Sequence, residues 1–312
     1  ENGRTMATND QGTPVMITIL GPTATGKTRL AAAAAAALEG EVISADSRQV
    51  YRGMDIGTGK DYDDYVVEGK TVPFHLVDIA DPGYEYNVFE FQKDFLKAFG
   101  NIVSRSKTPV LCGGTGMYLE AVLSGYKLVE VPENRQLRER LHDKSIDQLT
   151  GILRNLREVH NVTDLTDRNR TIRAIEIAEY EKTHPRTGHD FPNINHRIFG
   201  IHFDRQIIRE RITRRLKQRL EEGMIEEVKQ LLESGLQPAQ LTFYGLEYRY
   251  LTDYVTGKIS YEEMFRLLNT AIHQFAKRQM TWFRRMEKKG FKIQWIDGNL
   301  PLEQKVDLVL KL

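Results

Sequence analysis

An apolar run that ends in a glycine-rich loop and leads into a stretch of alanines is the feature that most constrains the fold. The apolar run is Val15–Leu20, residues 21–28 read Gly-Pro-Thr-Ala-Thr-Gly-Lys-Thr, and residues 31–37 are all alanine. Alanine has the highest helix propensity, so the order is strand, loop, helix. This spacing matches the phosphate-binding loop, in which backbone N–H groups at a helix N-terminus hold phosphate oxygens. The segment predicts an α/β protein.

The residues of this loop have separate chemical roles. Lys27 is predicted to neutralise phosphate charge, and the hydroxyl of Thr28 is placed to hold Mg²⁺. The predicted phosphate contacts are Gly21, Pro22, Thr23, Ala24, Thr25, Gly26, Lys27 and Thr28. Kinases, ATPases and enzymes with a diphosphate leaving group all use this loop. The loop therefore predicts a phosphate-bearing ligand but does not determine which reaction takes place.

Further short apolar runs predict a parallel sheet. They cover residues 41–45, 74–77, 109–112 and 196–203. The loops that follow parallel strands lie at one edge of the sheet, where open α/β proteins bind ligands. The predicted fold class is therefore α/β, with a P-loop NTPase-like parallel sheet.

A helical segment interrupts the strand pattern. Residues 131–190 are charged and helical in pattern, and residues 185–192 contain two prolines and a glycine, as a linker would. After the strand at 196–203 the remainder is predicted to be helical. We expect three parts, namely a disordered N-terminal stretch or expression remnant at 1–14, a catalytic α/β core at 15–128 plus 196–312, and an inserted helical domain at 129–195.

Composition limits the kind of partner. The 312 residues include 44 Lys plus Arg and 43 Asp plus Glu, a net charge of +1. Such a chain is unsuited to coating nucleic acid indiscriminately. Its apolar runs are shorter than the roughly 18 residues that span a bilayer, so we expect no membrane partner. The single cysteine, Cys112, cannot form an internal disulfide, which fits the cytoplasm.

Polar residues follow three of the predicted strands. Residues 46–49 read Asp-Ser-Arg-Gln and residues 113–115 read Gly-Gly-Thr, and both should face the same crevice as the phosphate loop. Asp46 is placed to act as a base or a metal anchor, unless residues 46–49 form an ordinary strand-end turn. Asp78 either binds Mg²⁺ through water or caps the next turn.

Five segments together resemble the tRNA dimethylallyltransferases, also called isopentenyl-diphosphate:tRNA transferases. They are the phosphate loop, residues 46–58, residues 113–115, residues 170–177 and residues 277–284. The resemblance runs from about Met16 to Arg285 and covers nearly the whole chain. The C-terminal zinc finger of eukaryotic members is absent, which favours the bacterial type.

The resemblance implies a defined reaction. A dimethylallyl group passes from dimethylallyl diphosphate to N6 of the adenosine immediately 3′ of the anticodon in tRNA, diphosphate is released, and Mg²⁺ is required. The implied partners are the tRNA anticodon stem-loop and dimethylallyl diphosphate, with the inserted domain binding tRNA. We expect a cytoplasmic monomer.

The resemblance also implies residue roles. Asp46 is the catalytic base, Thr115 lies near the reacting amine and the diphosphate, and Arg215 contacts the diphosphate. Thr28 is the implied metal ligand. The implied tRNA contacts are Asp46, Ser47, Arg48, Gln49, Thr115, Arg138, Arg168, Arg170, Arg173, Lys277, Arg278 and Arg284.

Two segments depart from the family pattern. Residues 245–250 read Gly-Leu-Glu-Tyr-Arg-Tyr where many members have Gly-Tyr-Lys/Arg-Glu/Gln, and Asp61 stands where proline is common. We expect Asp61 to take no part in the chemistry. Trp282 is expected to pack in the core rather than to stack on RNA bases.

Other enzymes also use a phosphate loop. An adenylate dimethylallyltransferase would share the loop and Asp46, but it would not need the arginine-rich insertion. A small-molecule P-loop kinase would leave residues 46–58 unexplained. A non-enzymatic RNA-binding GTPase or ATPase has the least support, because the sequence lacks the guanine-reading pattern Asn-Lys-x-Asp.

Overall fold

The computed structural model describes residues 6–9, 12–125, 128–157, 159, 165, 167–184 and 191–311. The chain divides into two compact units, Glu1–Gly125 with Asn193–Leu312, and Tyr126–Pro192. These divisions fall a few residues before the predicted boundaries at 128 and 196. The predicted linker lies largely outside the described residues.

A six-stranded parallel sheet forms the centre of the larger unit as described. In chain order the strands are β1 (Val15–Leu20), β2 (Glu41–Ser44), β3 (Val66–Val67), β4 (Lys70–Thr71), β5 (Phe74–His75), β6 (Pro109–Gly113), β7 (Asn195–His202) and β8 (Ile293–Asp297). The spatial order is β5-β2-β6-β1-β7-β8, while β3 and β4 form a separate antiparallel pair. Every residue of β1 is buried, as expected for a central parallel strand covered on both faces. The α/β prediction is confirmed.

Helices cover the sheet and form the smaller unit. In chain order they are α1 (Lys27–Ala37), α2 (Val88–Ser104), α3 (Gly116–Leu123), α4 (Arg135–Leu141), α5 (Ile146–Leu156), α6 (Arg168–Thr183), α7 (Arg205–Glu221), α8 (Met224–Glu233), α9 (Pro238–Leu241), α10 (Leu246–Val255), α11 (Tyr261–Lys288) and α12 (Leu302–Leu310). The alanines of α1 pack into the main hydrophobic core beside β1 and β6. No helix in the described ranges is long and apolar enough to cross a membrane.

The smaller unit has a hydrophobic core of its own, built from α4, α5 and α6. Its buried residues are Leu137, Leu141, Leu149, Leu153, Ala174, Ile175 and Ala178. The side chains of Asn134 and Ser145 cap the N-termini of α4 and α5, which fixes where these helices begin.

Three local predictions differ from the structure. The C-terminal region contains the edge strand β8, which pairs with β7, where only helices were predicted. The third strand stops after His75 because Leu76 and Asp78 have left-handed backbone angles, φ +64° and +56°. Within the predicted disordered stretch, Ala7 is buried and its N–H donates to the hydroxyl of Thr108.

Candidate active site

The phosphate loop connects β1 to α1 and is closed by its own hydrogen bonds. The Thr25 hydroxyl and the Lys27 ammonium both donate to the Pro22 carbonyl, at 2.8 Å and 3.2 Å. No side chain caps the N-terminus of α1, which begins after Gly26. Uncapped N–H groups at a helix start are the donors that hold phosphate oxygens in such loops.

Lys27 is buried among charged groups of both signs. Burial lowers its pKa, and the charges of Arg215 and Arg48 lower it further, while the carboxylate of Asp46 acts in the opposite direction. Burial also raises the pKa of the Cys112 thiol to about 12, so the thiol stays neutral near pH 7. The positive groups around Lys27 favour an incoming polyanion.

Asp46 begins the loop after β2, and only one of its carboxylate oxygens is engaged. Oδ1 accepts the N–H groups of Arg48 at 2.9 Å and Gln49 at 3.3 Å. Within the described part of the chain, Oδ2 accepts no hydrogen bond from a protein group. The N–H of Ser47 donates to Oγ1 of Thr115 at 3.1 Å, which joins this loop to the one after β6. The structure therefore brings Asp46, Ser47 and Thr115 together, and the turn leaves one carboxylate oxygen available.

Gln279 on α11 connects two of the strand-end loops. Its buried side-chain oxygen accepts the Thr23 N–H at 2.9 Å, and its amide nitrogen donates to the Gly114 carbonyl at 3.0 Å. A Cβ at position 114 would lie 2.6 Å from that nitrogen, so glycine leaves room for the contact. Gln279 falls within a segment that resembles the family, but the sequence assigned it no role.

Replacing Gln279 by alanine is expected to raise about tenfold the KM for the diphosphate substrate that the family resemblance implies. The change leaves the Thr23 N–H and the Gly114 carbonyl without their partner, and an unsatisfied buried polar group costs roughly 1–3 kcal/mol. Steady-state kinetics with varied diphosphate substrate measures the effect. Gln274→Ala, at an exposed position on the same helix, is the matched control. An unchanged KM in Gln279→Ala would show that the connection made by Gln279 between the two loops does not affect binding of the diphosphate substrate.

Asp61 holds the arginine predicted to contact diphosphate. Its carboxylate lies 2.8 Å from Nη2 of Arg215 and 3.2 Å from Nη2 of Arg219. Arg215 also approaches the Thr23 hydroxyl, at 3.5 Å. Burial and, to a smaller extent, the charge of Arg215 lower the pKa of Arg219 to about 10, while Asp61 acts in the opposite direction. The ion pair places Asp61 next to Arg215 near the phosphate loop, a contact that the sequence did not predict, and the expectation that Asp61 takes no part in the chemistry stays a prediction.

A buried carboxylate fixes the second half of the segment at residues 46–58. Glu227 accepts the N–H groups of Asp55 at 3.0 Å, Ile56 at 2.7 Å and Gly57 at 3.1 Å. The hydroxyl of Tyr248 donates to the same carboxylate at 2.6 Å. Neither side chain was singled out from the sequence, because nothing local marks a partner about 170 residues away.

Asp78 is engaged within the chain. Its two carboxylate oxygens lie 2.5 Å from the Lys60 ammonium and 2.5 Å from the Tyr62 hydroxyl. Lys60 is nearly fully buried and also pairs with Asp55. Asp78 therefore has a structural role as the partner of Lys60 and Tyr62. This role accounts for an acidic residue at position 78 without metal binding or turn capping.

The second half of α11 has an exposed basic face. The exposed cations predicted to contact tRNA are Lys277, Arg278 and Arg284. Trp282 packs against Gly116, and the guanidinium of Arg285 lies 4.0 Å from the centre of its ring. Arg285 also pairs with the buried Glu120 at 3.1 Å. One face of α11 therefore packs against the rest of the larger unit, and the other, basic face is exposed to solvent.

The arginines of the smaller unit differ in their surroundings. Arg138 and Arg173 bind the buried Glu176, at 3.1 Å and 2.5 Å. Arg168 donates to backbone carbonyls at the C-terminal end of α4. Arg170 is exposed. Contacts between these four residues and tRNA stay predictions, and Arg170 has the most accessible side chain.

Comparison with known proteins identifies the family. Residues 49–286 match the family model described as IPP transferase. A Bacteroides fragilis protein named tRNA dimethylallyltransferase 2 is 59% identical over 294 residues, which are 94% of this chain and 96% of that protein. A Porphyromonas gingivalis protein of the same name is 58% identical over 297 residues, 95% of this chain and 98% of that protein.

Solved structures agree with this assignment. The full-length tRNA isopentenylpyrophosphate transferase from Bacillus halodurans has a TM-score of 0.69 and 32% identity, over 95% of this chain and 94% of that one. A eukaryotic dimethylallyltransferase acting on tRNA, 22% identical with a TM-score of 0.71, shares the fold over 91% of this chain and 74% of that one. The chain belongs to the IPP transferase family.

Proposed function

We propose that the chain transfers a dimethylallyl group from dimethylallyl diphosphate to N6 of the adenosine immediately 3′ of the anticodon in tRNA. The observation that carries the proposal is that a phosphate loop and a carboxylate with one oxygen available are connected at one edge of the sheet. Gln279 connects the phosphate loop to Gly114, and the bond between Ser47 and Thr115 connects the adjoining residue 115 to the Asp46 loop. Displacement of diphosphate by an amine needs both groups. The names of the family relatives, at 56–59% identity, support the same reaction.

In this reaction Asp46 has the role of proton acceptor. The lone pair of an adenine exocyclic amine is delocalised into the ring, so N6 is a weak nucleophile. N6 forms a bond to the allylic carbon, the bond from that carbon to the diphosphate oxygen breaks, and its electron pair leaves with the diphosphate. The proton of N6 passes to Oδ2 of Asp46. General base catalysis of this kind contributes roughly 10²- to 10⁴-fold.

Positive groups around the phosphate loop stabilise the leaving diphosphate. Lys27, Arg215 and the N–H groups at the start of α1 face the charge that develops as the bond breaks. Mg²⁺ is commonly held by one or two side chains together with substrate phosphates, so the hydroxyl of Thr28 is a suitable donor. The bound ion would neutralise part of the diphosphate charge. The loop on this proposal binds a leaving group, not a phosphoryl donor.

The target base must leave its stack to reach Asp46, which costs a few kcal/mol. Phosphate contacts from exposed cations can offset that cost. We propose Lys277, Arg278 and Arg284 of α11, and Arg170 of the smaller unit, for these contacts. We also propose that the enzyme acts as a monomer. The tRNA substrate and the reduced Cys112 favour the cytoplasm.

Labelled dimethylallyl diphosphate, supplied with either unmodified tRNA or AMP, tests the acceptor. We expect label in tRNA alone, in the presence of Mg²⁺, and loss of labelling when EDTA removes the ion. Label in AMP and none in tRNA would instead identify an adenylate dimethylallyltransferase.

A further inference from the structure

The side chain of Arg48 is bound within the chain, beside the catalytic carboxylate. Its Nη1 lies 2.6 Å from Oε2 of Glu247, and the two side chains are only 21% and 12% exposed. The guanidinium also lies 5.6 Å from the centre of the Phe275 ring. Arg48 follows Asp46 by two residues, while Glu247 belongs to the first turn of α10. The ion pair therefore connects the Asp46 loop to a distant helix.

The segment that departs from the family pattern is shaped to receive this arginine. Gly245 has φ +127°, and a Cβ there would lie 2.9 Å from Cδ of Arg48. Burial lowers the pKa of Arg48, but the carboxylates of Glu247 and Asp46 raise it overall, so the guanidinium stays charged. The glycine provides space and Glu247 provides the compensating charge.

The ion pair is one of three attachments that hold the turn at residues 46–49. The Ser47 N–H is held by Thr115, and the side-chain amide of Gln49 donates to the carbonyls of residues 58 and 59 at 3.3 Å and 3.1 Å. Arg48 is held by Glu247. Because Asp46 Oδ1 accepts the backbone N–H of Arg48, a shift of that residue changes where Oδ2 points.

We propose that the ion pair between Arg48 and Glu247 positions the carboxylate of Asp46 for proton transfer. Both are positioning residues, and the inference rests on the proposed function. Misplacing a reacting group by about 1 Å can cost roughly 10²-fold in rate. The role differs from the tRNA contact that the family resemblance implies for Arg48. In this chain the guanidinium is nearly buried, and Glu247 already neutralises it.

Four variants test the proposal, namely Arg48→Met, Glu247→Gln, the double variant, and the control Asp253→Asn. Asp253 pairs with Lys258 at 3.3 Å near the other end of α10, so the control makes the same carboxylate-to-amide change on the same helix. The measurements are single-turnover rates with saturating tRNA and dimethylallyl diphosphate, KM for each substrate, tRNA affinity and Tm.

We expect Arg48→Met and Glu247→Gln each to lower the single-turnover rate about 10- to 100-fold. KM for both substrates and tRNA affinity should stay within about threefold, and the double variant should be no slower than Arg48→Met, because both changes remove one attachment. If a variant were only less stable, its Tm would fall, but its rate would not fall while its tRNA affinity stayed unchanged. Asp253→Asn should retain the wild-type rate.

Two outcomes would overturn the inference. If Arg48→Met weakens tRNA binding while Glu247→Gln leaves the rate unchanged, Arg48 is an RNA contact. If the losses in the double variant multiply, the two residues act independently. The proposed function is judged separately, by whether the wild-type protein transfers label to N6 of the proposed adenosine in tRNA.

Discussion

Replacement of Asp46 by asparagine is expected to lower the rate of dimethylallyl transfer roughly 10²- to 10⁴-fold. Asparagine keeps a carbonyl oxygen where Oδ1 accepts the N–H groups of Arg48 and Gln49, so the turn is preserved. It removes the basic oxygen that takes the proton from N6. Single-turnover transfer from labelled dimethylallyl diphosphate to unmodified tRNA measures the loss, and tRNA affinity should change by less than about threefold.

The control for this variant is Asp81→Asn. Asp81 has a side chain that is 78% exposed and pairs with Arg52 at the surface, so the same change in charge there should leave the transfer rate unaltered. A variant at Asp46 that loses tRNA affinity but keeps the wild-type rate at saturation would show that this carboxylate binds RNA and is not the base.

Replacement of Arg215 by methionine is expected to raise KM for dimethylallyl diphosphate about 10- to 100-fold. A hydrogen bond to a charged group contributes roughly 1.5–3 kcal/mol, and Arg215 is held beside the phosphate loop by Asp61. Asp61 keeps its contact with Arg219 in the variant, so the neighbouring loop retains one of its attachments. Initial rates at varied diphosphate substrate and saturating tRNA measure the change.

Arg214→Met is the matched control, because Arg214 precedes Arg215 on α7 but is exposed. Its KM for dimethylallyl diphosphate should equal that of the wild-type protein. If Arg215→Met weakens tRNA binding and leaves this KM unchanged, Arg215 belongs to the RNA surface and the leaving group is stabilised by other residues.

Local sequence patterns were sufficient for five strands of the described parallel sheet and for the three strand-end loops. The phosphate loop, Asp46 and Thr115 each follow a strand directly, and parallel strands end at one edge, so their proximity follows from the topology. The edge strand β8 was missed because five residues between two helices give little periodic signal.

Contacts between distant segments were beyond what the sequence could predict. Gln279 reaches a residue 256 positions away, and Glu247 reaches one 199 positions away. No periodicity or motif encodes such a pairing when a single sequence is available. The pairing of Asp61 with Arg215 and Arg219 was not predicted for the same reason, since these arginines lie on α7.

The net charge of the sequence also could not predict which arginines form ion pairs within the chain. Near-neutral net charge indicated a selective RNA enzyme, but it did not distinguish exposed arginines from those with partners. Arg48, Arg138 and Arg173 bind carboxylates within the chain, whereas Arg170 and Arg284 are exposed. Only the exposed ones have side chains available to contact phosphate groups without breaking an internal ion pair.

The most direct test of the reaction is product analysis. Wild-type protein is incubated with dimethylallyl diphosphate and an unmodified tRNA, the tRNA is digested to nucleosides, and released diphosphate is counted. We expect a single new nucleoside, adenosine with a dimethylallyl group on N6, located 3′ of the anticodon, with one diphosphate released for each one formed. Diphosphate release without modified adenosine, or modification at another atom or position, would contradict the account.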